Sequence, residues 1–379
     1  MFFNEQTVAS DDPFIVNARR KPERNKPCWC LSGKKHKLCH RGREKKAVIN
    51  AGQALQVGNE IFRVKRCMHP SSSECNGRKI RSHTIQRRGG LKHIVDDDNK
   101  VLMMRINMED CSPEKTGWKE ASTFYGFCSH HDLATFKGIE GSPFKSSEEQ
   151  CFLLYYRALC YQSYQKEAFV KTLKRQKETL DNGHTLDEQI NIQLNLNRNI
   201  HDYGRTVLEL NEEKRDADTT LMDKTYSNYA HLIVYFTGHF DLFTTSHFHP
   251  AYDLSGNEIY DIYDESVPGE GASFSIVPVN DETSAFVVSW NKKYSHVKTF
   301  IERLLNIAPE TKLNLMHQLL FAQSENVCFS SNWWDSLGEA QKSFVKKLYA
   351  FGGDNYGREL NPELVLHRWV VEKIETINF

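Results

Sequence analysis

Metal-ligand spacing constrains this chain more than any other feature of its sequence. Six of its ten cysteines fall into two groups, each completed by a histidine: Cys28, Cys30, Cys39 and His40 in the first, and Cys67, Cys75, Cys128 and His131 in the second. Four thiolate or imidazole ligands match the tetrahedral geometry of a structural zinc ion. A segment of about twenty residues buries too little apolar surface to fold alone, so the first group predicts a small fold that zinc holds together.

The remaining sequence favours a protein of the reducing cytoplasm. Its longest apolar runs are shorter than the roughly 20 residues that a membrane span needs, and residues 1–12 lack the cationic and apolar regions of a signal peptide. We therefore expect a cytoplasmic protein with no membrane partner, whose clustered cysteines bind metal rather than form disulfides. Cys111, Cys151, Cys160 and Cys328 have no partner at ligand spacing, and we predict that they are buried as small apolar side chains.

The charge of the chain is unevenly distributed, although it sums to zero. Residues 1–92 contain twenty-one Lys and Arg against seven Asp and Glu, a net charge of +14 that the rest of the chain balances. Cationic side chains that neutralise phosphates release counterions, and this release supplies most of the non-specific affinity for nucleic acids. Residues 17–92 are therefore a candidate nucleic-acid-binding region, and a solubilising basic segment is an equally good interpretation.

Hydrophobic periodicity predicts an α+β protein built from several segments. A cysteine-rich hook is followed by short strand and turn patterns, then by long helical patterns, and finally by strands and helices together. The predicted order is a flexible leader, a zinc hook, a zinc module, an antiparallel helical hairpin arm and a C-terminal α+β domain, over residues 1–24, 25–46, 60–145, 146–225 and 226–379.

Local signals predict individual elements inside these segments. Thr185-x-x-Glu188 is a capping box that starts the second helix of the arm. Two apolar runs at residues 274–279 and 285–290 flank a turn and predict a β-hairpin. Asn361-Pro362 suits the cap and the first turn of a final helix.

The first cysteine group resembles a known motif. Residues 24–41 contain a proline before the first cysteine, the turn Ser32-Gly33-Lys34-Lys35, and a closing Cys39-His40 pair. This pattern resembles the SEC-C motif, a zinc hook at the tail of the SecA translocase motor and an accessory in many other bacterial proteins. The resemblance implies zinc binding by the hook and contacts of the hook with partner proteins or ribosomes. Leu31 takes the place of a glycine that is usual in the motif.

Residues 67–157 resemble a group of uncharacterised bacterial proteins with no known activity, and Glu140 and Arg157 are among the matching residues. Within this range, residues 67–132 also resemble zinc-stapled HNH nucleases. The matching features are the second cysteine group, the run Ser82-His83-Thr84-Ile85, the Gly89-Gly90 turn and the closing Cys128 to Asp132. The resemblance implies a treble-clef or ββα-metal module with His83 as general base and Asp132 as ligand of a catalytic metal ion. A carboxylate at this position suits a hard ion, Mg²⁺ or Mn²⁺.

Two residues depart from the HNH pattern and leave two functions open. Ser82 stands where the family has an acidic or histidine metal ligand, and Thr123 falls about where the family's asparagine orients the base. His130 or Glu120 could supply the metal ligand that Ser82 does not. One function is a divalent-metal-dependent HNH-like endonuclease, a hydrolase that cuts DNA or RNA in antiviral defence against phage or as a toxin. The alternative is a non-catalytic zinc-stabilised adapter that binds nucleic acid, ribosomes or partner proteins.

A further pair of possible ligands occurs in the C-terminal part of the chain. His247 and His249 would share one face of a strand, with Asp241 or His239 nearby. Alternation of side chains in an aromatic strand explains this spacing without a metal ion. We therefore expect an ordinary strand at these positions.

Overall fold

The computed structural model describes residues 12–20, 22–87, 89–106, 111–355 and 359–379. The helices are α1 (Pro13–Arg19), α2 (Ala51–Ile61), α3 (Ser129–Glu140), α4 (Glu148–Gln176), α5 (Leu186–Asp223), α6 (Ser295–Leu305), α7 (Pro309–Gln323), α8 (Ser331–Ser336) and α9 (Glu339–Asn355). The strands are β1 (Lys79–His83), β2 (Lys100–Ile106), β3 (Cys111–Gly117), β4 (Thr123–Cys128), β5 (Tyr229–Thr237), β6 (Leu242–Phe248), β7 (Ala272–Pro278), β8 (Thr283–Asn291), β9 (Val327–Phe329) and β10 (Val370–Ile377). None of the helices described combines the length and the apolar composition needed to cross a lipid bilayer.

The chain divides into two compact units. One comprises Met1–Val64 and Gln165–Leu208, and the other comprises Lys65–Tyr164 and Glu209–Phe379. Both boundaries in the middle of the chain fall within the long helices α4 and α5. The helical pattern of the predicted arm is therefore present, but its residues are shared between the two units instead of forming a domain of their own.

The zinc hook of the first unit packs against the short helix α1. Ile15 and Ala18 lie in one buried cluster with Trp29 of the hook and Ile190 of α5, and the Phe14 ring meets Trp29 edge-on at 5.4 Å. The segment predicted as a flexible leader is therefore helical from residue 13, because its apolar face covers the hook. Residues 1–11 of that leader lie outside the described residues.

The start of α5 confirms the predicted capping box. The Thr185 backbone N–H donates to Glu188 Oε2 at 2.7 Å, and the Glu188 backbone N–H donates to Thr185 Oγ1 at 3.4 Å. Gly183 just before the box has a φ of +76°, in the left-handed region where glycine carries little strain. The reversal between α4 and α5 is thus specified by a few adjacent residues.

An eight-stranded antiparallel sheet forms the centre of the second unit, in the order β10-β5-β8-β7-β6-β9-β2-β3. The predicted hairpin is confirmed, since β7 pairs with β8 and Phe274 lies opposite Val288. β2 joins the sheet through β9, with Met103 opposite Cys328. Strands from the segment predicted as a separate zinc module therefore share one sheet with the C-terminal strands. The prediction that the fold mixes helices and strands is confirmed.

The end of the chain differs from the predicted final helix. The Gln318 side chain of α7 donates to the carbonyl oxygens of Asn361 (2.7 Å) and Leu364 (2.8 Å) and accepts from the Asn361 N–H at 2.8 Å. These tertiary hydrogen bonds engage backbone groups that a helix would bond internally. The chain then continues as β10, which pairs with β5 and places Ile374 opposite Val234.

The unclustered cysteines behave as predicted. Cys111, Cys151, Cys160 and Cys328 are all buried, and the last three have no measurable exposure. Each therefore contributes a small apolar side chain to the packed interior.

Candidate metal centres and the surroundings of His83

The four predicted ligands of the hook converge on one point. His40 Nδ1 lies 3.2 Å from Cys28 Sγ and 3.2 Å from Cys39 Sγ, and Cys30 Sγ lies 3.5 Å from Cys39 Sγ. Ligands around a tetrahedral zinc ion are separated by about 3.5 Å for sulfur and nitrogen and about 3.8 Å for two sulfurs. All four residues are buried, so this cluster has the donor set and the spacing to bind zinc.

The hook reaches this geometry through a strained turn. The Cys28 backbone N–H donates to the Lys34 carbonyl at 2.8 Å, which closes the loop that carries Cys30. Leu31 inside this loop has a φ of +62°, which explains why glycine is usual there. A leucine in this region costs about 1 kcal/mol, a strain that the surrounding loop must offset.

A buried carboxylate supports His40 from the opposite side. His40 Nε2 lies 2.7 Å from Asp181 Oδ2, and the same carboxylate pairs with Arg43 at 2.5 Å and accepts from Gln193 Nε2 at 2.9 Å. Burial alone would raise the pKa of Asp181, but the His40 hydrogen bond and the Arg43 charge lower it below its usual value. Metal-binding imidazoles commonly donate their second N–H to such a carboxylate, which orients the ring. Sequence reasoning missed Asp181, because no local spacing connects it with the hook.

The second predicted cluster also forms. His131 Nδ1 lies 3.3 Å from Cys67 Sγ, 3.5 Å from Cys75 Sγ and 3.4 Å from Cys128 Sγ. Cys128 caps α3, and its sulfur accepts from the His131 backbone N–H at 3.5 Å. The four donors fit one zinc ion, and this cluster is less enclosed than the hook because Cys67 and Cys75 are half-buried.

A histidine that the sequence did not indicate packs on this second cluster. The His69 ring stacks on the His131 ring with centroids 3.9 Å apart and planes 9° apart. Burial, together with the neighbouring His131, lowers the pKa of His69 to about 4. A neutral ring therefore covers one side of the metal-binding imidazole.

The cluster connects two strands and a helix. β1 pairs antiparallel with β4, with Lys79 opposite Cys128 and His83 opposite Thr123, and α3 begins directly after β4. His83 is the last residue of β1, and Asp132 lies in the first turn of α3. Asp132 thus follows the zinc ligand His131 directly, while His83 lies at the opposite end of β1 from the Lys79 and Cys128 pair.

His83 is enclosed and has an unsatisfied ring nitrogen. Among the described residues, its buried Nε2 has no hydrogen-bond partner. Burial lowers the pKa of His83, the charges of Arg87 and Arg157 lower it further, and Glu140 acts in the opposite direction. The imidazole is therefore neutral at ordinary pH, the state that can accept a proton.

Asp132 lies beside Ser82, the residue before His83 in β1. Burial raises the pKa of Asp132, Arg157 and the Ser82 hydroxyl oppose this rise, and Glu140 adds to it. Asp132 Oδ1 and Ser82 Oγ are both buried, and neither makes a hydrogen bond of good geometry with a described residue. The pKa values of Asp132 and His83 thus respond to the same two charges, those of Arg157 and Glu140.

Arg157 of α4 is buried behind these residues. Its side chain is 1% exposed, its Nη2 donates to Glu140 Oε1 at 2.8 Å, and its guanidinium lies 4.1 Å from the centre of the Phe136 ring. Arg157 Nε and Nη1 are buried without a hydrogen-bond partner in the described part of the chain. The sequence had indicated Arg157 and Glu140 only as part of a resemblance, without a role.

An open cleft of about 420 Å³ borders this group. Glu140 lines it together with Gln86, Lys92 and Gln150, and its apolar side includes Leu154. A volume in this range accommodates a small ligand or a segment of a larger one.

The alternative ligands that we considered from the sequence are engaged elsewhere. Glu120 forms an exposed ion pair with Arg81 at 2.7 Å, and His130 is exposed. The Thr123 hydroxyl donates to the Glu120 carbonyl at 2.7 Å. Glu140 lies at the other end of α3, about 12 Å along the helix from Asp132, and its charge raises the pKa of Asp132.

A third cluster forms around the histidine pair of β6. His247 and His249 converge on Glu213 of α5, and one donor atom from each lies within 4.8 Å of the others. Asp241 and His239, the partners suggested by the sequence, do not belong to this group. The expectation of an ordinary strand here is therefore incomplete, because Glu213 comes from a distant helix.

Comparison with known proteins supports the first cluster. The SEC-C motif matches residues 24–42, which span the hook and its four ligands. No curated protein and no solved structure matches the chain. The SEC-C assignment, together with the converged ligands, identifies the hook as a zinc-binding motif, and it extends to these residues alone.

Proposed function

We propose that this protein is a divalent-metal-dependent nuclease of HNH-like build, which hydrolyses phosphodiester bonds of DNA or RNA. The proposed site lies in the second unit on β1, β4 and α3. His83 is the proposed general base, and Asp132 is the proposed ligand of the catalytic ion. A role in antiviral defence or as a toxin would fit such an activity.

Unsatisfied polar atoms carry this proposal. Ser82, His83, Asp132 and Arg157 all contribute buried side-chain atoms that have no hydrogen-bond partner among the described residues. Leaving one such atom unpaired costs about 1–3 kcal/mol, so four residues represent a substantial cost to stability. Buried groups of this kind need an explanation, and a ligand that pairs with them is the one we favour.

The order of elements gives independent support. An antiparallel strand pair followed by a helix is the arrangement expected of a ββα-metal module, and the resemblance assigns structural zinc to the Cys67–His131 cluster, whose four donors lie together. In this arrangement a histidine at the end of the first strand and an acidic residue in the helix face a common site. His83 ends β1 and Asp132 lies in the first turn of α3, so the proposal assigns these two roles to them.

The Asp132 carboxylate suits a hard divalent cation. Burial and the charge of Glu140 raise the pKa of Asp132, and a bound cation would stabilise its ionised form. Carboxylate oxygens are the ligands that Mg²⁺ and Mn²⁺ prefer. When bound, such an ion would stabilise the negative charge on the leaving oxygen.

The protein residues around the ion have distinct proposed roles. The neutral His83 ring takes a proton from the attacking water, a step for which its unpaired Nε2 is suited. Arg157, Arg87 and Lys92 place positive charge around the site and the cleft, which favours a phosphate group. The basic residues 17–92 would add affinity for the rest of a nucleic acid.

A cleavage assay tests the proposal. The full chain is incubated with plasmid DNA and with total RNA, in the presence of Mg²⁺ or Mn²⁺ and then of a chelator. Substitution His83→Ala should lower cleavage by about 10²–10⁴-fold, the usual contribution of a general base, without changing the zinc content. His201→Ala, at an exposed histidine of α5, is the matched control and should cleave like the wild type. Equal cleavage by the His83 variant would remove His83 from the mechanism.

A non-catalytic adapter is the second candidate. Leu31 and Leu38 of the hook are each 72% exposed, and such leucines are suited to contact a partner protein. Salt-sensitive nucleic-acid binding by the wild type without any cutting would favour this function and contradict the nuclease.

A further inference from the structure

The third cluster joins a helix and a strand in the second unit. Glu209 and Glu213 are four residues apart on α5 and share one face of the helix, while His247 and His249 are two apart and share one face of the β6 segment. His247 Nε2 lies 2.7 Å and His249 Nε2 2.9 Å from the two oxygens of Glu213. Two imidazoles and one carboxylate therefore meet at a single point.

A carboxylate lies beside the second ring nitrogen of His249, as is usual for metal-bound histidines. Its Nδ1 lies 3.6 Å from Glu209 Oε2, while its Nε2 faces Glu213. Glu209 is itself held by the backbone, since its Oε1 accepts from the Gly269 N–H at 3.0 Å. A carboxylate behind an imidazole orients the ring and makes its other nitrogen a better ligand.

Two glycines bring the backbone close to the donor atoms of this cluster. A Cβ on Gly271 would collide with His247 Nε2 and with Glu213, and a Cβ on Gly269 would lie 2.7 Å from His249 Nδ1. The segment that covers the cluster thus carries glycine at both places where a side chain would enter the site. Glycines of this kind mark a close approach of the backbone to a functional group or ligand.

The site is enclosed but has an entry path. His247 and Glu213 are 0% and 3% exposed at their side chains, while His249 and Glu209 are 16% and 13% exposed. An ion can therefore reach Glu213 past His249. Two carboxylates at one partly buried place also favour a divalent cation, which balances both charges.

We propose that Glu213, His247 and His249 form a third metal site, for a divalent transition ion such as Zn²⁺, Mn²⁺ or Fe²⁺. Two imidazoles and a carboxylate are a donor set typical of such ions, and three protein ligands leave a position for water or another ligand. Nitrogen and oxygen ligands of one tetrahedral ion lie about 3.3 Å apart, so binding opens the present contacts by about half an ångström. A rotation of the Glu213 carboxylate is enough for this change.

Cobalt binding tests the proposal on the full chain. The two cysteine clusters are first loaded with two equivalents of Zn²⁺, which their thiolates bind before nitrogen and oxygen donors do, and Co²⁺ is then titrated while absorption is recorded. The wild type should bind one further ion whose spectrum has ligand-field bands and no thiolate-to-cobalt charge transfer. Charge transfer would instead report exchange into the cysteine clusters, which the added zinc suppresses.

Two variants and one control make the result specific. Glu213→Gln and His249→Gln should lose the additional Co²⁺, whereas Glu212→Gln, at an exposed neighbour on α5, should retain it. If Glu213→Gln does not fold, His249→Gln decides, because its side chain is at the edge of the site. Absence of the additional ion in the wild type, or its retention in a folded His249→Gln protein, overturns the proposal and leaves Glu213 as a buried hydrogen-bond acceptor.

Discussion

Replacement of Asp181 by asparagine is the sharpest test of how the first unit stabilises its zinc site. The Asp181 side chain is 0% exposed, and its carboxylate contacts His40 Nε2 at 2.7 Å and Gln193 Nε2 at 2.9 Å. Asparagine keeps the shape and one acceptor oxygen, but it removes the negative charge. The variant therefore separates the electrostatic role of Asp181 from its packing.

The contacts of Asp181 give the size of the expected loss in zinc affinity. Loss of a carboxylate behind a metal-bound imidazole usually lowers metal affinity about 10–100-fold, which corresponds to about 1.4–2.7 kcal/mol. The Arg43 side chain is only 4% exposed, so solvent cannot compensate for its lost counter-charge. We therefore expect a decrease at the upper end of that range for Asp181→Asn.

Chelator competition measures this change. Zinc release from the full chain is followed with a metal-sensitive dye, and the hook is observed separately through Trp29, which is 5% exposed and whose ring lies 4.3 Å from the His40 ring. Asp187→Asn, at an exposed aspartate on α5, is the matched control and should release zinc like the wild type. If Asp181→Asn releases its hook zinc at the same chelator concentration as the wild type, the proposed support of His40 is refuted.

Two further predictions concern the stability of each unit. His231 is buried in β5, and burial lowers its pKa from 6.5 to about 3, so below pH 6.5 the unfolded chain binds a proton that the folded chain does not. The free energy of unfolding should therefore fall as the pH decreases from 6.5 towards 3, and His231 should account for about 2 kcal/mol of this loss at pH 5. In urea unfolding, His231→Gln should lose less stability with falling pH, by that amount. A pH dependence equal to that of the wild type contradicts this prediction. In the hook, Leu31→Gly removes the strain of a φ of +62° at a side chain that is 72% exposed, so zinc retention should improve up to about fivefold. Weaker retention in the same chelator titration would show that the Leu31 side chain contributes more than its strain costs.

Local patterns predicted much of the secondary structure. The capping box at Thr185 and the hairpin of β7 and β8 were readable because a cap or a turn depends on a few adjacent residues. The final helix predicted at Asn361 failed for the opposite reason. There the hydrogen bonds of Gln318, a residue of another helix, outweigh a good local helix signal.

The candidate sites also differ in whether their residues are close together in the sequence. The sequence by itself determined the two cysteine clusters, because the donors of the hook lie on one short loop and those of the second cluster carry recognisable spacing. Only the tertiary structure decided that Asp181 lies behind His40 and that Glu213 meets His247 and His249. Connectivity and turn geometry restrict residues that are near each other in the chain, so their spacing is informative. Residues far apart in sequence meet only where the packing of a whole core brings their helices and strands together, and no local pattern records that packing.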